Sequence, residues 1–97
     1  MTNLEALKAA LKDQDNKIMS DDEYRSHLQL KGIDPDGTFD PDDPADIMLA
    51  KADILEDVVA HPLKWNAYKQ GEINEEVNPD QILKVAQQIR LRYQKVI

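Results

Sequence analysis

Between Asp43 and His61 the chain reads DPADIMLAKADILEDVVAH, and the periodicity of this stretch decides the fold class. At 100° per residue, Ile47, Met48, Ala52, Ile54, Leu55, Val58 and Val59 gather on one broad side, with Asp53, Glu56 and Asp57 opposite them. This is the pattern of an amphipathic helix. Asp43 suits the N-cap, and Pro44 the first helical position, where its missing N–H would have had no partner; Pro62 stops the pattern just past the far end.

The flanking segments follow the same logic. Thr2 and Glu5 stand in capping-box relation ahead of Leu4, Leu7 and Leu11, which predicts a first helix running to about Lys12, broken by Asp13-Gln14-Asp15-Asn16. Ser20 and Glu23 form a second capping box before Tyr24, His27, Leu28 and Leu30, and Lys31-Gly32-Ile33 reads as a Schellman ending with Gly32 left-handed. Residues 34–42, DPDGTFDPD, make a turn-rich loop in which Phe39 is the apolar residue able to pin the segment to the core. Residues 63–77 allow two readings: a helical turn carrying Trp65 and Tyr68 and closed by Gly71, or an extended flap. Asn78, Pro79 and Gln81 open a last helix whose seam of Ile82, Val85, Ala86, Ile89, Tyr93 and Val96 reaches nearly to Ile97. The expectation is a single all-α domain over residues 1–97. It is a small bundle of about four helices, with a long central helix, a long C-terminal helix and an irregular link between them.

Composition narrows the function. A chain of 97 residues buries only about 60 to 70% of the surface it exposes when unfolded, so its core has little to spare. The absence of cysteine removes disulfides, thiol catalysis and thiolate metal sites. No apolar run reaches membrane-spanning length, and the expectation is a soluble protein without a membrane partner. From Asp34 to Asp57 there are nine acids and one base, Lys51, whereas four bases and no acid follow Asp80. A chain segregated in this way can attract a second copy head to tail, although its net charge of −7 opposes indiscriminate association.

Chemical motifs are few. Counted from Asp34, an EF-hand would need glycine where Phe39 stands and glutamate where Ala45 stands, so that motif fails, and turn chemistry accounts for the aspartates. His27 and His61 lack metal-ligand spacing, and His61 suits the C-terminal end of a helix dipole. There is no nucleophile elbow and no glycine-rich phosphate loop, so neither an enzyme nor a cofactor is expected. Lys51 falls within the apolar arc, either snorkelling to solvent or buried in an ion pair, and Leu49 falls on the acidic face, where it could mark a subunit contact. Lys84, Gln88, Arg92 and Lys95 form a stripe opposite the last helix's seam. That stripe is either a plain solvated face or a surface for an anion, whether DNA or the acidic segment of a neighbouring copy.

The order of these features resembles the small head–tail connector (adaptor) proteins of tailed phages and prophages. The resemblance spans nearly the whole chain, and its specific parts are the G-I-D-P-D loop from Gly32 to Asp36 and the A-K-A-D-I-L stretch from Ala50 to Leu55. In similar proteins the link before the last helix is Ser- and Gly-rich, whereas here Trp65, Tyr68 and Lys69 intervene; Lys51 stands where a small neutral residue is typical. The resemblance implies a non-enzymatic adaptor in the virion, assembled in the host cytoplasm. It would form a ring, commonly dodecameric, between the portal protein and a tail-side connector or stopper, with DNA only as passing cargo. On that expectation Asp42, Asp46, Asp53 and Asp57 of one copy face Lys84, Arg92 and Lys95 of the next, while Leu49, Gln88, Trp65 and Tyr68 belong to subunit or partner contacts. The rival expectation is a small acidic regulatory or DNA-mimic module built on the Asp-rich middle.

Overall fold

The computed structural model describes residues 1–71 and 78–93, the side chains of 69–71 excepted. Within them lie five helices: α1 (Asn3–Ala10), α2 (Asp21–Leu30), α3 (Ala45–Ala60), α4 (Pro62–Gly71) and α5 (Pro79–Tyr93). The only β feature among the described residues is an isolated antiparallel bridge between Thr2 and Thr38. The fold is therefore all-helical. The described residues hold one helix more than expected, because Pro62, separated from the end of α3 by His61 alone, opens α4 instead of merely closing α3. Proline serves equally well as a stop for one helix and as the first residue of another. Of the two readings for the link, the helical one holds through Gly71; the expectation for residues 72–77, like that for Val96 and Ile97 at the end of the last helix, lies outside the described residues.

Local chemistry accounts for most helix ends. In α1 the Glu5 N–H donates to Thr2 Oγ1 at 3.1 Å and the Thr2 N–H to Glu5 Oε1 at 2.9 Å, a complete capping box. In α2 only half a box forms. The Glu23 N–H donates to Ser20 Oγ at 3.3 Å, but the Glu23 carboxylate turns outward to Lys64 of α4. α2 closes as a Schellman motif, with Gly32 at φ +74° and the Ile33 N–H on the Leu28 carbonyl at 2.9 Å. The start of α3 differs from the expectation by one residue: Pro44 itself is the N-cap, without a side-chain cap bond. Asp43 instead closes a turn by donating its N–H to the Asp40 carbonyl at 3.1 Å.

α3 packs against each of the other four helices. Its Ile54, Leu55, Ala52 and Val58 are almost fully buried, together with Leu7 of α1, Tyr24 and Leu28 of α2 and Ala86 of α5. The loop before α3 is tied to the N-terminus by backbone bonds, Asn3 N–H to Gly37 O at 2.9 Å, Leu4 N–H to Pro35 O at 3.0 Å and Phe39 N–H to Met1 O at 2.9 Å. Phe39 packs against the core as expected, but Pro35 is the more deeply buried pin. Gly37 sits at a close approach, since a Cβ would lie 3.2 Å from Asn3 Nδ2 and from the Asp34 carbonyl oxygen and would press on both.

Candidate interaction surface

The acids of this chain have three different fates in the fold. Asp53 and Asp57 project from the outer side of α3, which three other helices approach with cations. Lys31, the C-cap of α2, reaches Asp53 at 2.8 Å, Arg90 of α5 reaches it at 2.6 Å and also binds Glu56, and Lys64 of α4 reaches Asp57 and Glu23 at 2.9 Å each. His61 caps the end of α3, its Nδ1 donating to the Asp57 carbonyl at 2.8 Å and lying 3.0 Å from the carboxylate, while His27 Nε2 stands 4.0 Å from that same carboxylate. Burial opposes the charged form of Asp53, but the bonds from Lys31 and Arg90 outweigh it and hold the carboxyl below the usual range. Lys64 is raised above its ordinary value, first by Asp57. Two of the four acids expected to reach a neighbouring copy are thus already engaged inside their own molecule.

Asp42 and Asp46 remain. Both are exposed, as are Asp40 and Asp43, and none of the four forms an ion pair among the described residues. The run is locally shaped, for the Asp42 N–H donates to Asp40 Oδ1 at 2.9 Å.

The third fate belongs to Asp13, whose place in the sequence marks only the break after the first helix. It is the one buried charged residue among the described ones, and its carboxylate accepts the N–H groups of Lys17 (2.6 Å), Ile18 (3.0 Å) and Met19 (3.2 Å) and the Tyr24 hydroxyl (2.6 Å). Burial, then Asp13 itself, pushes the Tyr24 phenol far above its usual range.

On the cationic side, Lys84, Gln88 and Arg92 are exposed on α5, and the Arg92 guanidinium lies 5.5 Å from the centroid of the Tyr93 ring. Lys95 lies outside the described residues. Leu91, which sequence reading did not single out, is 77% exposed; it follows Lys84 by seven residues and Gln88 by three, so it belongs to the same stripe. Arg90 was also passed over. Its signal was positional, one residue from the seam position Ile89, where a long cation can turn inward. Leu49 is half-buried rather than exposed. Trp65 and Tyr68 stack on α4 with ring centroids 5.9 Å apart and planes 19° from parallel, and both pack partly against the core.

Among the described residues no group of three His, Asp or Glu side chains is arranged to hold a metal ion, and no helix is long and apolar enough to cross a membrane. What the surface offers is an exposed acidic run and exposed cations that the fold leaves apart. No curated protein and no solved structure matches the chain. The model of a family of unknown function, DUF6706, matches residues 1–96, and the chain belongs to that family.

Proposed function

We propose that this protein is a structural, non-enzymatic adaptor that repeats head to tail into a ring at the head–tail junction of a tailed phage or prophage particle. In that reading the portal protein lies on one side, a tail-side connector or stopper on the other, and DNA passes through the lumen. One observation supports it above the rest: Asp42 and Asp46 on one part of the chain, and Lys84 and Arg92 on another, stay exposed and form no ion pair among the described residues. A ring requires a heterologous contact, two unlike patches per subunit that complement each other. Asp53 and Asp57 leave the intersubunit set, because Lys31, Arg90 and Lys64 hold them internally. The resemblance of the 32–36 loop and the 50–55 stretch to connector proteins supplies the biological setting.

The test is particle mass against ionic strength, with negative-stain imaging of the protein alone and with the portal protein of the same gene cluster. Rings that weaken in molar salt support the reading; a monomer in both preparations overturns it. The acidic-module reading draws on the exposed run from Asp40 to Asp46, and a gene lying away from capsid and tail genes favours it.

A further inference from the structure

Lys8, Arg25, Lys31, Lys64 and Arg90 each meet an acid of the same molecule. Lys12 and Lys17, both exposed, meet none among the described residues. They border one concave region. Lys12 and Lys51 line a groove of about 160 Å³ walled otherwise by apolar side chains and Tyr68, with Leu55 and Ile82 among them. Lys17 lines an adjoining depression that shares Leu11, Lys12 and Tyr68 with it.

The segment carrying these lysines is held by a dense set of hydrogen bonds. The Asp13 N–H bonds to the Lys8 carbonyl at 2.9 Å and the Lys12 N–H to that of Ala9 at 3.1 Å, so α1 ends in a Schellman motif whose left-handed position, φ +55°, is filled by Lys12. Glycine would take that conformation without the steric cost a lysine bears. The buried Asp13 carboxylate then fixes the Lys17 backbone through its N–H at 2.6 Å. A charged side chain is therefore kept at a strained position on a rim held by hydrogen bonds from both sides, the arrangement expected where binding sets the choice of residue.

We infer that this groove, rather than the outer stripe of α5, receives the acidic run from Asp40 to Asp46 of a second copy of the chain. Charge complementarity decides the occupant. The run carries Asp40, Asp42, Asp43 and Asp46 exposed, and Pro41 and Pro44 restrict its backbone, so little freedom is lost on docking. Arg92 of the competing stripe already lies over Tyr93. Asp15, exposed in the lysine-bearing segment, opposes the contact. The inference rests on the head-to-tail reading above, keeps its acidic side and moves its cationic side from Lys84 and Arg92 to this groove.

Sedimentation velocity of the full chain across concentration at low salt tests it. Lys12→Glu with Lys17→Glu is expected to weaken self-association roughly tenfold. Asp42→Lys with Asp43→Lys, mixed with that variant, is expected to restore it, and Asp15→Asn to strengthen it. Lys12→Gly separates binding from folding: it should raise the thermal midpoint of the monomer while weakening association. If Lys84→Glu with Arg92→Glu abolishes association while the Lys12 and Lys17 pair is inert, or if the reversed aspartates fail to restore it, the groove assignment is overturned and the ring reading stands. A wild-type chain that stays monomeric alone and with portal overturns both.

Discussion

Two connecting segments of this molecule are rich in aspartate, residues 12–20 and residues 34–44, and they use it in opposite ways. In the first, Asp13 turns inward and gathers three backbone N–H groups and a phenol. In the second, Asp34 and Asp40 each accept the N–H two residues on, at 3.0 and 2.9 Å, and stay in solvent. An inward carboxylate needs several donors to offset its lost hydration, which here come from a chain that doubles back around it. A carboxylate in solvent shapes a turn at little cost and keeps its charge available to a partner. Aspartate content says nothing about which of the two a loop has built.

That contrast is sharpest at Asp13. Asp13→Ala leaves a buried hydroxyl and three N–H groups without their acceptor, and is expected to lower unfolding free energy by about 3 to 4 kcal/mol, read from urea denaturation. A loss under about 1 kcal/mol would mean that water replaces the carboxylate and that the two segments are alike. Tyr24→Phe removes one bond of that hub and keeps the other three, so about 1.5 kcal/mol is expected, as for a hydrogen bond to a charged acceptor.

Between the two extremes lie the half-buried acids of α3. Arg90→Ala is expected to cost about 1 kcal/mol at neutral pH, discounted for the solvent that reaches this site. Its pH dependence has a definite sign. The Asp53 carboxyl is held below its unfolded value, so its contribution is complete above about pH 4 and lost as pH falls through the lower folded value. The difference between wild type and Arg90→Ala should therefore shrink under acid; one that stays constant would assign the loss to packing of the arginine stem. At the far end, Asp42→Asn with Asp43→Asn should change stability by less than about 0.5 kcal/mol while altering self-association. A large loss of stability would show that the second segment is as structural as the first.

Helix ends separate what was legible in the sequence from what was not. The Schellman end of α2 was readable because Gly32 stands at its left-handed position; the same motif closes α1, but Lys12 occupies that position and no residue type announces it. The Thr2 and Glu5 box was readable because both halves lie within one turn. Half of the Ser20 and Glu23 box was lost because Lys64, forty-one residues along the chain from Glu23, claims the carboxylate. The stripe on α5 was readable from its period, yet Arg90 beside it turned inward to pair with Asp53 and Glu56 on the acidic side of α3. Sequence spacing places a charge on a face, and only the neighbouring element decides whether that face meets solvent or an opposite charge.

Local patterning was enough for an all-helical chain, the apolar seam of α3, the Ile82, Ala86 and Ile89 part of the α5 seam (Val85 is 41% exposed), the caps at Thr2, Ser20 and Asn78 and the break at Gly32, because each depends on interactions within one or two turns. The tertiary structure decided which acids are spent. It buried Asp13 under α2, tied Asp53 and Asp57 to cations from three other helices, and left Asp40 to Asp46 and the Lys12 rim outward. A carboxylate's fate depends on donors that arrive from distant parts of the chain, and their arrival is set by how the helices pack.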